Sequence, residues 1–132
     1  MKQEVALAFE EMMDISTDID KAVLFDADGV LASNMPPEAQ APALAQAKEL
    51  AGLGEARAGE MGSQPFTQLV IETAAGYVFS ARESGARGMS LLATGKKGSR
   101  VGLVLYDLKT CIRDAREAAR AAAAGDQVAK EE

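Results

Sequence analysis

The fold turns on how residues 22–36, AVLFDADGVLASNMP, are read. The apolar run KAVLF at residues 21–25 predicts a mostly buried strand. The Asp28-Gly29 pair that follows is a strong turn signal, with Asp26 placed to cap the turn. Val30-Leu31-Ala32-Ser33 reads as the returning strand, and Asn34 with Met35-Pro36-Pro37 ends it. The stretch is then a tight antiparallel hairpin, and the chain on either side must suit an antiparallel sheet.

It does. Upstream, Val5, Phe9, Met12, Ser16 and Ile19 recur at helical spacing, which predicts an amphipathic helix over residues 2–17. Downstream, residues 37–58 are alanine-rich and helical in pattern. Ala43, Leu44, Ala47, Leu50, Ala51 and Gly54 share one side, and small residues there allow close approach by a helix or a sheet. Gly52 and Gly54 each cost on the order of 1 kcal/mol against alanine, so packing must offset them or the helix ends there. Residues 58–64 read as a loop. Three strands follow with short connections, at 66–73 (FTQLVIET), 77–82 (YVFSAR) and 87–94, with a turn at 83–86; they predict an antiparallel meander. Gly95-Lys96-Lys97-Gly98 reads as a loop and Ser99 as the N-cap of a final helix. That helix carries Val101, Val104, Leu105, Leu108, Cys111, Ile112 and Ala115 on one stripe and is expected to stop at Gly125. The order α-β-β-α-β-β-β-α implies an α+β fold: a five-stranded antiparallel sheet with helices on both faces. One domain over residues 1–124 and a flexible acidic tail over 125–132 are expected.

Composition narrows the chemistry. The 132 residues include no histidine, no tryptophan and one cysteine. No Ser-His-Asp or Cys-His nucleophile can be built within the chain, nor a nitrogen/sulfur zinc site. An internal disulfide is impossible, which fits a cytoplasmic setting. Twenty acids against 14 bases give a net charge of −6, arguing against nucleic-acid binding. No signal peptide is visible, and no stretch approaches the ~20 apolar residues of a membrane span. The acids crowd residues 1–66 (net −8), while residues 67–132 are net +2, an asymmetry that can guide docking.

Several motifs compete with these readings. Asp26-Ala27-Asp28-Gly29 after an apolar strand is similar to the first motif of haloacid-dehalogenase-type phosphatases, in which two aspartates serve magnesium-dependent phosphoryl transfer. Thr94, Lys96 and Asp107 could be forced onto the remaining motifs, but Asp107 falls in the last helix and the strand-helix alternation of a parallel sheet is missing. Gly95-Lys96-Lys97-Gly98 is not a P-loop, since Gly88 stands seven positions earlier and Lys97 replaces the Ser or Thr. Lys109, Arg113, Arg116 and Arg120 form a basic stripe, whose plain reading is a solvated face with local ion pairs to Asp114 and Glu117. Cys111 reads as a buried structural thiol.

Taken together, the hairpin of residues 22–36, the meander of 67–95 and the closing helix of 98–118 resemble the Roadblock family, the small domains of dynein light chains and of bacterial regulators of Ras-like GTPases. The resemblance implies a profilin-like sandwich, with the first and last helices on one sheet face and the middle helix on the other. It implies a homodimer in which middle helices pack together and third strands pair. On this basis Ala43, Ala47, Leu50 and Gly54 of the middle helix, and Thr67, Leu69 and Ile71 of the third strand, are the expected interface. The strand would otherwise be an unpaired apolar edge. The resemblance also implies no catalytic residues, cofactor or metal, and a small Ras-like GTPase as partner. The alternatives are a magnesium-dependent phosphatase using Asp26 and Asp28, or a structural role in a larger complex without a GTPase.

Overall fold

The computed structural model describes residues 2–83 and 88–131, the side chains of residues 2 and 126–131 excepted. Helix α1 (Lys2–Ile15) buries Val5, Ala8, Phe9 and Met12, the i, i+3, i+4, i+7 set of one helical face. Strand β1 (Ile19–Asp26) follows, with Ala22, Val23 and Leu24 fully buried. This unbroken burial reflects cover on both sides of the sheet. Ala22 and Leu24 join a core shared with α1 and the last helix, and Val23 and Phe25 join a second core beneath the middle helix.

Strand β2 (Gly29–Ser33) returns antiparallel to β1, as the hairpin reading requires. Its register slips once: Leu24 faces Ala32 and Phe25 faces Val30, which leaves Leu31 as the extra residue of a β-bulge. Helix α2 (Pro37–Glu60) opens with proline in its first turn and runs two residues beyond the expected end. It passes straight through Gly54 because the Phe66 ring lies there; an added Cβ would come within 3.2 Å of three ring carbons.

Strands β3 (Gln68–Glu72), β4 (Gly76–Arg82) and β5 (Ser90–Lys96) form the expected meander. The fifth strand starts and ends later than its sequence suggests. Gly95 belongs to the strand, not to a loop, because its bare Cα lies against the Phe79 ring and the Ser99 hydroxyl. The turn expected at 83–86 lies largely outside the described residues. The sheet order is β2-β1-β5-β4-β3, antiparallel throughout, so β2 and β3 are the two edges.

Helix α3 (Val101–Glu131) buries Val104, Leu108, Cys111, Ile112 and Ala115 against α1 and the sheet. The expected stop at Gly125 is not taken, since one glycine costs about 1 kcal/mol and the alanine-rich flank carries the helix through it. Ser99 is not the cap either. Its hydroxyl donates to the Lys96 carbonyl at 2.6 Å, while the Asp18 carboxylate accepts the Arg100 N–H at 2.9 Å. The fully buried side chains of Phe79, Leu24, Leu91 and Leu108 anchor the main core, each contributing about 1.5–3 kcal/mol. The fold is the α+β sandwich expected, with α1 and α3 on one face of the sheet and α2 on the other.

Candidate interaction surface

The two edges differ. On β3, the Thr67 carbonyl accepts the Arg82 N–H at 2.9 Å, and Thr73 and Gly76 exchange bonds of 2.7 and 3.3 Å. Hydrogen-bonded pairs alternate along an antiparallel ladder, so Leu69 and Ile71 also turn their backbone groups toward β4. The N–H and C=O groups of Gln68, Val70 and Glu72 therefore face the open edge. The register holds without a slip from Gln68 to Glu72. The β2 edge is interrupted by its bulge at Leu31, and the Ser33 hydroxyl is bonded inward to the Ala22 carbonyl at 2.8 Å. A bulge spoils an edge as a template; a regular run of open groups is a usable one.

Side chains extend the difference. Val70 points into the main core, whereas Leu69 and Ile71 lie on the α2 face of the sheet, Ile71 opposite Val78. Helix α2 packs over β1, β2 and β5 and stands beside these residues, leaving Ile71 37% exposed. On α2 itself Leu53 is 53% exposed, on the side away from the sheet, where Ala45, Gly52 and Ala56 also lie in the open.

A polar clamp fixes α2 to the start of β3. The Glu55 carboxylate pairs with Arg82 and accepts bonds from the Phe66 N–H (3.4 Å) and the Gln64 amide (3.2 Å). The Arg82 guanidinium lies 4.4 Å from the centre of the Phe66 ring, and its Nε donates to the Phe66 carbonyl at 3.0 Å. None of these residues stands out in the sequence, where Glu55 and Arg82 are ordinary helix and strand-end charges.

The expected interface residues divide. Leu69 and Ile71 lie on one face of the edge strand, and Thr67 immediately precedes it. Ala43 and Ala47 do not face outward: they are 6% and 3% exposed and packed against Val23, Phe25 and Leu92 of their own sheet. The small side of α2 is the side that lets the helix sit close to the sheet. Leu50 is half-buried in the same cluster, and Gly54 is under Phe66.

The competing motifs are spent on structure. Asp26 Oδ1 accepts the Asp28 N–H at 2.8 Å and closes the hairpin. The Thr94 hydroxyl accepts the Lys21 N–H at 3.2 Å, and Lys96 pairs with Asp18 at 3.4 Å. Cys111 is buried, and desolvation, with Asp114 nearby, pushes its thiol pKa up to about 12. Among the described residues no helix is long and apolar enough to cross a membrane.

No curated protein matches the chain in sequence. In structure it is similar to a Roadblock/LC7 domain from Streptomyces avermitilis, at 17% identity and TM-score 0.74 over 85% of this chain and 94% of that one. It is also similar to the gliding protein MglB of Thermus thermophilus, at 19% identity and TM-score 0.72 over 90% of each chain. An MglB with a tetrameric arrangement aligns at 21% identity and TM-score 0.70, over 89% of this chain and 91% of that one. The profile of the Roadblock/LC7 domain matches residues 7–87, more than half of the sequence, from within α1 to just beyond β4. The chain belongs to the Roadblock/LC7 domain family.

Proposed function

We propose that this protein is a non-enzymatic, homodimeric cytoplasmic adaptor that binds a small Ras-like GTPase and modulates its nucleotide cycle or its localisation. The observation that carries the homodimer is the regular open edge of β3. Antiparallel pairing of β3 with its copy about Val70 would match the donors and acceptors of Gln68, Val70 and Glu72. Roughly six cross-strand bonds at about 1 kcal/mol each fall short of the about 8 kcal/mol of a micromolar complex. Burial of Leu69 and Ile71, with the outward residues of α2, supplies the rest.

The GTPase reading rests on family membership and on the lack of a catalytic constellation in the sequence. In such a pair the GTPase's own residues do the chemistry and the adaptor positions them. The experiment combines light scattering of the purified chain with binding and turnover assays against Ras-like GTPases of the same organism, loaded with GTP or GDP. The expected result is a dimer that forms a complex with one nucleotide state and changes its hydrolysis or exchange rate. A stable monomer at micromolar concentration overturns the homodimer. A dimer that binds neither nucleotide state overturns the GTPase reading and favours a structural subunit.

A further inference from the structure

Helix α3 carries cations at one-turn steps, Lys109, Arg113, Arg116 and Arg120, over roughly 16 Å of its length. They form one wall of a groove that Ile112 and Ala81 also line, next to Arg82 and Glu83 at the end of β4. The four α3 cations face this groove against two carboxylates, Glu83 and Glu117, in a chain whose net charge is −6, while Arg82 at its end is already paired with Glu55. The groove lies on the face of the sheet covered by α1 and α3, opposite α2.

The plain reading of this stripe, local neutralisation by its own acids, holds only in part. Arg116 is held by Glu83 at 2.7 Å, which fixes the middle of the wall. Arg113 reaches its chain neighbour Asp114 at 3.4 Å through exposed side chains, and adjacent helical residues diverge rather than face each other. Lys109 and Arg120 form no ion pair among the described residues. The charge here is ordered and incompletely neutralised.

We propose that this groove docks an acidic helical segment of a protein partner. Cations repeating at each turn match carboxylates repeating along a helix laid beside them. Glu83 is neutralised by Arg116, so Glu117 decides among anionic partners. It repels a polymer of phosphates or an anionic bilayer, which present negative charge without interruption, whereas a peptide can place a neutral or basic residue opposite it.

The test uses the full chain and a short synthetic helix bearing glutamates at one-turn spacing, followed by fluorescence anisotropy at low and physiological salt. Saturable, salt-sensitive binding is expected, with affinity reduced about tenfold or more in Lys109→Glu/Arg113→Glu. Arg120→Gln should lose less. Circular dichroism and light scattering on both variants should match the parent, because these side chains are exposed. The proposal is overturned by absence of saturable binding, by equal binding of the variants, or by tighter binding of phosphatidylserine vesicles or single-stranded RNA than of the peptide. None of these outcomes depends on the oligomeric state or on a GTPase.

Discussion

Asp18 accepts a hydrogen bond from the backbone N–H of Arg100 at 2.9 Å, across 82 residues of chain. Its carboxylate also pairs with the Arg100 side chain at 3.1 Å and with Lys96 at 3.4 Å, so one buried acid holds the α1–β1 junction to the start of α3. The Arg100 N–H, the Arg100 guanidinium and Lys96 hold its carboxyl below the ordinary value of 3.8. A carboxylate with a depressed folded-state pKa stabilises fully above its unfolded value, and that contribution disappears as pH falls through the folded one. Acid titration of the melting temperature should therefore show a loss beginning near pH 3.8, and Asp18→Asn should lack that component. At neutral pH, Asp18→Ala should melt several degrees lower than the parent and lower than Asp18→Asn, which keeps a capping oxygen. Equal melting of all three would refute this role.

The β3 edge makes separable predictions. Glu72→Pro removes an N–H that points away from β4, so the protomer should keep its circular dichroism spectrum while self-association weakens. Ile71→Arg puts a charge into the apolar patch beside α2 and should weaken association more, by about tenfold or beyond. Sedimentation across a concentration series reads both effects. A Glu72→Pro variant as associated as the parent would place the contact elsewhere.

Gly76 has no room to become alanine. A Cβ there would sit 2.3 Å from the Gly95 carbonyl oxygen, a backbone atom of the neighbouring strand, and its φ of 158° adds strain. Gly76→Ala should destabilise by about 2 kcal/mol or more in chemical denaturation. Gly102→Ala meets nothing within 4 Å and should be neutral or stabilising by up to about 1 kcal/mol.

Cys111 is 2% exposed, and burial pushes its thiol up to about 12. The native protein should resist an aromatic disulfide reagent from about pH 7 to 9 and react with one thiol per chain in denaturant. Rapid native labelling would contradict the buried assignment.

Much of this architecture is written locally. The Asp-Gly hairpin, the stripe of α1 and the existence of the meander are each set by neighbours in sequence, although the last strand of the meander is shifted toward its C-terminal end. Long-range effects are not legible in the same way. Nothing near Asp18 announces that its partner lies at Arg100, and nothing near Gly95 says that Phe79 draws it into β5. The clamp of Glu55, Arg82 and Phe66 joins three elements whose residues look unremarkable one by one. On α2 the pattern points to the correct side, since Ala43 and Ala47 do share a face. Small residues suit a sheet as well as a helix, however, and only the packing shows that the sheet took them.

Leu31, the surplus residue of the first hairpin, limits how far these molecules can add to one another. A domain with regular hydrogen-bonding rims at both ends would accept neighbours head to tail and grow into a ribbon without a natural stopping point. Here one rim is kinked and the other is straight. In the proposed dimer, growth along the strand-stacking direction would be self-limiting: the straight rim is consumed once, and the kinked rims are left outermost.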